Sequence, residues 1–179
     1  MLKASRAVFS KLAPGVEWSD MHLLAERITL QGLKDLGLLV GDIDEMLEKR
    51  LGFIFQPHGL GHLIGLDVHD VGGYLPNTRK RDMRPGLKNL RTARKMEPGV
   101  IVTIEPGCYF RDFLLDNDLP KDFYEFDLKY LNLEKIREYQ EEINGVRIED
   151  VVLVTETGCE NLSHDLPRTV EEIEKCMAG

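Results

Sequence analysis

Residues 57–70 read PHGLGHLIGLDVHD and set three imidazoles and two carboxylates among glycines and apolar residues. The imidazoles belong to His58, His62 and His69. A loop that only connects two elements needs turn-forming residues and little else, whereas this stretch places titratable groups at short intervals in an apolar run. Helical patterns precede it and strand patterns follow it. The stretch therefore indicates a functional site around which the predicted fold is arranged.

Two later segments, residues 100–107 and 145–154, are β-branched strand patterns that each contain one inward-facing carboxylate, Glu105 and Glu149. Strand alternation places Glu105 on one face with Thr103, and it makes Arg147 a neighbour of Glu149. A charged Glu in an apolar strand is costly to bury unless it is compensated, and a metal ion is a common compensation when a His is near. The sequence thus predicts one constellation of His62, Glu105 and Glu149.

Each of these residues also has an ordinary structural interpretation, and spacing alone leaves both open. Glu149 and Arg147 could form only an ion pair, and His62 could be a core histidine with satisfied hydrogen bonds. If the three residues do bind metal, one imidazole with carboxylates is an oxygen-rich set that suits Mn, Co, Fe(II) or Zn in a hydrolytic centre. Bridging carboxylates hold two such ions about 3.5–4 Å apart.

Composition narrows the class of protein. The chain has 179 residues and a net charge of −8, from 23 Lys and Arg against 31 Asp and Glu, which argues against a nucleic-acid partner. The basic run Arg79-Lys80-Arg81 is expected to be a solvated loop. Three widely spaced cysteines without a CxxC pair fit a reducing compartment. Because the sequence contains neither a signal-like start nor a long apolar run, we expect a cytoplasmic protein without a membrane span.

Helical periodicity predicts helices over 2–12, 19–36, 43–51 and 131–142, and a capping box at Thr169 and Glu172 predicts a final helix. Strands are predicted over 53–56, 63–69, 100–105, 107–111 and 145–155. His22 is expected on the exposed surface of the second helix, and residues 111–144 are expected to form an insertion or lid. Helices followed by strands predict an α+β fold with helices packed on an antiparallel sheet.

Four linked motifs occur in order along the chain, at residues 58–62 with 67–73, 97–99, 103–107 and 146–150. Together they resemble the catalytic domain of the pita-bread metallopeptidases. Two further segments, residues 91–94 and 167–174, are similar within that superfamily to the prolidases, the Xaa-Pro dipeptidases of eukaryotic type. The resemblance implies a partial pita-bread fold, with helices on a curved antiparallel sheet, over residues 1–179.

The resemblance also implies roles for particular residues. His62 and Glu105 would bind one divalent metal ion, and Glu149 would bridge two, with Mn favoured and Co or Zn as alternatives. His58 and His69 would line the substrate pocket, with His69 stabilising the tetrahedral intermediate.

Three further roles concern the peptide. Arg147 would order the site beside Glu149, and Arg91 would bind the free carboxylate of an Xaa-Pro dipeptide. Glu105 would also carry a proton to the leaving nitrogen, since a tertiary amide has no N–H of its own.

The sequence departs from the family pattern in one respect. The family's two metal-binding aspartates come from a strand pair before the helix that begins here at Leu2, and this chain lacks that pair and the family's amino-terminal domain. We therefore expect a C-terminal portion of the catalytic domain, with impaired hydrolysis and an open sheet edge that favours a homodimer. The alternatives are a non-catalytic binding or dimerising module and an aminopeptidase acting on longer Xaa-Pro peptides, against which Arg91 argues.

Overall fold

Three helices form the first part of the chain in the computed structural model, which describes residues 1–76, 79–111 and 128–179. They are α1 (Leu2–Lys11), α2 (Trp18–Asp35) and α3 (Ile43–Glu48). The sequence offers Asp42 or Asp44 as the cap of the third helix, and the side chain of Asp42 caps α3 by accepting hydrogen bonds from the amides of Asp44 and Glu45. It offers Ser19 or Asp20 as the cap of the second helix, which is wrong, because α2 begins at Trp18, after Glu17.

In the described part of the chain, five short strands follow, in two antiparallel sheets. They are β1 (Ile101–Ile104), β2 (Gly107–Tyr109), β3 (Gly145–Arg147), β4 (Asp150–Val154) and β5 (Cys159–Asn161). One sheet has the order β1-β4-β5, and the other pairs β2 with β3. Helix α4 (Leu133–Glu142) precedes β3, and α5 (Val170–Met177), opened by the predicted capping box, ends the chain. The α+β prediction is confirmed.

Two apolar clusters join the helices to the sheets. In the first, α1 and α2 pack on the inner face of β1 and β4, and its members include Ala4, Val8, Trp18, Ala25, Val102, Ile104, Val152 and Val154. The second joins the end of α2 to α3, Phe55, Phe110 and α4. Since Val102 and Ile104 face the first cluster, strand alternation sends Thr103 and Glu105 to the opposite side. The predicted division of β1 into a core face and a polar face is thus observed.

Three predicted strands are wrong in part. Residues 51–54 form a 3₁₀ turn that Arg50 enters with a φ of 60°, instead of a strand over 53–56. The strand over 63–69 is reduced to one bridge between Leu63 and Val102. The strand over 145–155 is interrupted, because β3 pairs with β2 whereas β4 pairs with β1, so the chain changes sheets at residues 148–149. Residues 112–127 of the lid predicted over 111–144 lie outside the described residues, and the end of the segment contains α4 as expected.

The expectation that His22 is exposed is wrong. Its side chain lies on the buried face of α2 and is 3% exposed. Burial lowers its pKa to about 3, and the nearby charges of Arg50 and then His58 act in the same direction. Beside it, Glu26 forms an ion pair of 2.5 Å with Arg50. The position of His22 in the first turn of α2 suggested an exposed side chain, but its neighbours at one-turn spacing, Trp18, Ala25 and Glu26, are buried, and His22 lies on the same face.

Residues 60–64 extend the larger sheet by pairing antiparallel with β1. The amide of Thr103 donates to the carbonyl of His62 over 2.9 Å, and that of Glu105 donates to Leu60 over 2.8 Å. Gly61 lies so close to β1 that a Cβ there would overlap the carbonyl oxygen of Thr103. A glycine at this position is therefore required for the two segments to meet. None of the helices in the described part of the chain has the length and apolarity needed to cross a membrane.

The buried neutral His22 makes the fold sensitive to acid. Because its folded pKa, about 3, lies below the ordinary value of 6.5, the unfolded chain binds the proton more tightly. Its contribution to stability is therefore lost as pH falls through that interval, by about 1.4 kcal/mol per pH unit. We expect a His22→Leu variant to show a smaller loss of unfolding free energy than the wild type between pH 6.5 and pH 4, measured by urea denaturation.

The comparison is made as a difference between variant and wild type, because burial raises the pKa of Glu26 to about 7 and this works in the opposite direction over the same range. His164→Leu, at an exposed histidine, is the control and should leave the pH dependence unchanged. Parallel pH profiles for His22→Leu and the wild type would contradict the prediction.

Substitution of Gly61 tests the contact between residues 60–64 and β1. Gly61→Ala should lower the free energy of unfolding by about 2–3 kcal/mol, since the methyl group meets backbone that cannot rotate away. Gly158→Ala is the matched control, because a Cβ at Gly158 meets no atom within 4 Å. Equal thermal stability of the two variants would show that the contact with β1 is looser than described.

Candidate metal and substrate site

The three predicted metal ligands converge on one point. His62, Glu105 and Glu149 each offer one ligand atom, and these atoms all lie within 4.8 Å of one another. They come from three elements: the segment paired with β1, the residue after β1, and the link between β3 and β4. His62 and Glu105 are buried and Glu149 is exposed. Such a group has the donor types and the closeness that a divalent cation requires.

Hydrogen bonding selects the form of His62 that can bind a metal. Its Nδ1 lies 3.1 Å from the carbonyl oxygen of Leu63, and because a carbonyl only accepts, Nδ1 carries the proton. In the neutral ring the lone pair is then on Nε2, which lies 3.4 Å from Oε1 of Glu105. An imidazole held by a backbone carbonyl on one nitrogen, with the other nitrogen free, is the usual arrangement of a ligating histidine.

Glu105 is held from both sides. The Thr103 hydroxyl donates to its Oε1 over 2.9 Å, and Nη1 of Arg147 lies 3.4 Å from its Oε2. Burial nevertheless raises the pKa of Glu105, and the nearby charge of Glu149 adds to this effect. A bound cation would act in the opposite direction on both carboxylates. Strand alternation in the sequence puts Thr103 on the same face as Glu105, but no role in the site was predicted for Thr103.

The predicted substrate residues line a cleft of about 610 Å³ beside the three ligands. His58, His69, Arg91 and Arg147 all contribute to its walls, together with His62 and Glu105. The rings of His62 and His69 meet edge to face at 4.3 Å. The pKa of His69 is lowered by loss of solvent against the cleft wall and then by the charge of Arg91. The roles given to these residues stay predictions.

A larger cleft, of about 1180 Å³, lies between α4 and the β2–β3 pair. Among the described residues its walls contain no histidine and none of the three ligands, and it shares Arg147 with the smaller cleft. The residues that could hold a metal ion therefore favour the smaller cleft as the functional one.

Tyr109 is a member of the site that the sequence analysis missed. Its hydroxyl accepts a hydrogen bond from Nε of Arg147 over 2.5 Å and lies 3.0 Å from Nε2 of His58. The opposite nitrogen of His58 lies 2.7 Å from the carbonyl of Gly59, so it carries the proton and Nε2 accepts from Tyr109. Burial lowers the pKa of His58 and so favours this neutral form.

The pairing of β2 with β3 explains this contact. Gly107 lies opposite Arg147 in the register, and Tyr109 follows two residues later on the same face of β2. The only indication of this role in the sequence was the position of Tyr109 shortly after the predicted ligand Glu105, two residues beyond Gly107. Arg147 was expected beside Glu149, whereas its hydrogen bonds join it to Tyr109 and Glu105.

Comparisons with known proteins identify the family of the chain. A profile of metallopeptidase family M24 matches residues 1–156. The chain is 51% identical over its full 179 residues to the Xaa-Pro dipeptidase of Rattus norvegicus, and 50% identical to that of Homo sapiens. It is 41% identical to a probable Xaa-Pro aminopeptidase of Verticillium alfalfae. The chain spans 35% of the length of the two dipeptidases and 37% of that of the fungal protein.

Solved structures give the same result for the fold. Aminopeptidase PepP of Pseudomonas aeruginosa matches 99% of this chain with a TM-score of 0.69 and 36% identity, and the match covers 33% of that chain. Zn-substituted aminopeptidase P of E. coli, in complex with product, has the same TM-score at 32% identity, with 99% of this chain and 32% of that chain covered. Since the family profile matches most of the chain and its relatives match the whole of it, the chain belongs to metallopeptidase family M24 and has a partial pita-bread fold.

Proposed function

We propose that this chain carries part of the active site of a metal-dependent peptidase that hydrolyses Xaa-Pro dipeptides. The observation that carries the proposal is the convergence of His62, Glu105 and Glu149 within 4.8 Å of one another, at the edge of a cleft lined by histidines and arginines. In this proposal residues 1–179 are the C-terminal portion of a pita-bread catalytic domain, which acts as a cytoplasmic homodimer.

The donor set of the site fits a divalent cation. In its neutral form His62 presents the unprotonated Nε2, and Glu105 and Glu149 each present a carboxylate oxygen. We propose two ions, preferably Mn with Co or Zn as alternatives, with Glu149 shared between them and further carboxylates required from outside this set. When bound, such ions activate water and polarise a carbonyl group. The activity of this chain by itself is therefore expected to be low.

The residues of the chain supply binding and proton transfer. Arg91 receives the free carboxylate of the dipeptide, because a guanidinium can donate two parallel hydrogen bonds to it. His69, whose ring meets that of His62 edge to face, donates to the oxygen of the scissile carbonyl. Glu105, whose pKa is raised by burial, carries a proton to the proline nitrogen as the bond breaks.

A dipeptide substrate is favoured over a longer peptide. The chain has higher identity to the Xaa-Pro dipeptidases, at 51%, than to the fungal aminopeptidase relative, at 41%. Arg91 lies in the wall of the cleft, and a cation that binds the carboxylate of the second residue leaves no room for a third residue. Aminopeptidase activity remains the second candidate because the solved relatives are aminopeptidases P.

Removal of one charged ligand tests the metal site. In calorimetric titrations with Mn(II), we expect Glu149→Gln to weaken binding at least about 10-fold, because the amide keeps the shape of the side chain but loses the negative charge. The matched control is Glu160→Gln, at an exposed glutamate of β5. It should bind Mn(II) as the wild type does, and equal affinity in all three proteins would contradict the proposed site.

The specificity for a free carboxylate is tested at Arg91. The wild type should hydrolyse Gly-Pro in preference to Gly-Pro amide, and Arg91→Met should remove most of that preference, a change of about 10-fold or more in relative kcat/KM. Arg94→Met is the control, since Arg94 pairs with Glu97 outside the cleft. If Arg91→Met keeps the preference, or if Gly-Pro-Leu is the better substrate for the wild type, the aminopeptidase interpretation replaces this one.

A further inference from the structure

We propose that Arg168, near the end of the chain, is a positioning residue for the metal ligand Glu149, an inference that rests on the proposed function. Its Nη2 donates to the backbone carbonyl of Glu149 over 2.8 Å and to Oδ1 of Asp150 over the same distance. Its Nε donates to the same oxygen of Asp150 over 3.2 Å. One guanidinium therefore holds two consecutive residues at the point where the candidate ligand leaves the backbone.

The position of Asp150 makes this contact effective. Asp150 is the first residue of β4, and it lies opposite Ile104, the residue before Glu105. Its side chain is 9% exposed and its second carboxylate oxygen is 3.4 Å from the hydroxyl of Ser5 on α1. The ion pair with Arg168 is thus largely shielded from water, and it lies in a pocket with Ile104, the residue before Glu105. A shielded pair in which two nitrogens of one guanidinium donate to the same oxygen restricts geometry more than an exposed one.

The backbone of Arg168 is fixed as firmly as its side chain. The amides of Arg168 and Thr169 both donate to Oε2 of Glu172 over 2.9 Å, as part of the capping box of α5. The apolar side chains of α5 are exposed, with Val170 at 65% and Met177 at 83%. Since α5 adds no member to either core cluster, its main contact with the site is through Arg168. This segment lies beyond the residues 1–156 that the family profile matches.

On the other side of Glu149, the link between β3 and β4 is held by the amide of Ile148, which donates to the carbonyl of Pro106 over 3.3 Å. That bond ties the link to the turn after Glu105. Without the guanidinium, the carbonyl of Glu149 and the carboxylate of Asp150 lose their common donor. The short link between the paired residues Arg147 and Asp150 is then left with the bond from Ile148, so the backbone at Glu149 is less restricted. The exposed Glu149 side chain then meets His62 and Glu105 less often in the geometry that binds a metal.

The test compares Arg168→Met with Thr169→Ala, at a temperature at which both variants are folded by circular dichroism. Thr169→Ala removes the side-chain half of the helix cap and leaves the guanidinium contacts in place, so it controls for loosening of α5. Calorimetric titration with Mn(II) should give at least a 10-fold weaker affinity for Arg168→Met and an unchanged affinity for Thr169→Ala. Arg168→Lys should give an intermediate affinity, because a single ammonium cannot reproduce the planar fork.

The outcomes separate this inference from the proposed function. If the wild type binds Mn(II) and Arg168→Met binds it equally well, or if Thr169→Ala weakens binding as much, the positioning role is wrong and the metal site stands. If the wild type does not bind Mn(II), the proposed function fails, and amide hydrogen exchange decides the inference. Faster exchange confined to residues 147–151 in Arg168→Met, and absent in Thr169→Ala, supports the role of Arg168, whereas unchanged or general exchange overturns it.

Discussion

The close pairing of residues 60–64 with β1 is the contact on which the site depends. It requires a residue without a side chain at Gly61, because the backbone there lies against the carbonyl of Thr103. Once the pairing forms, the amides of Thr103 and Glu105 bond to His62 and Leu60, and this register brings the His62 imidazole to 3.4 Å from Glu105. The relative position of the candidate ligands His62 and Glu105 is thus fixed by backbone hydrogen bonds of a sheet. Such bonds allow less variation in geometry than side-chain rotamers do. A site built on such elements is held more exactly than one built on loops.

Electrostatics explains why this arrangement calls for a cation. Two carboxylates lie beside the imidazole of His62, and the burial of Glu105 together with the charge of Glu149 raises the pKa of Glu105. The hydrogen bond from Thr103 and the charge of Arg147 offset this only in part, since the net shift is still upward. A fold that needed only stability would gain by replacing such a group with apolar residues. A divalent ion, by contrast, would favour the charged form of both carboxylates and turn an unfavourable cluster into a binding site.

The sequence was sufficient for the α+β class, for the polar face of β1 and for all three residues of the candidate metal site. These depend on local patterns: strand alternation, capping residues and the density of His and Glu. The sequence was not sufficient where contacts between residues distant along the chain determine the local structure. The segment 63–69 has a strand pattern, yet it has only one bridge to β1, and His22 is buried because α2 packs its face against residues 50–58. Tyr109 was missed for the same reason, since its hydroxyl reaches His58 and Arg147 only after β2 pairs with β3.

The interruption of the strand at residues 148–149 is the departure with the greatest consequence for the site. In an uninterrupted strand, the carbonyl of Glu149 would take part in the regular backbone hydrogen bonds of the sheet. Because the chain instead leaves the β2–β3 pair and joins β1, that carbonyl is free to accept from Arg168, while Ile148 bonds to Pro106 in the turn after Glu105. The same change of sheets separates Arg147, which contacts Tyr109 and Glu105, from Glu149, which lies nearest to His62 and Glu105. Two charged residues that alternation would have paired with each other thereby have different partners: Arg147 contacts Tyr109 and Glu105, and Glu149 joins the candidate metal site with His62 and Glu105.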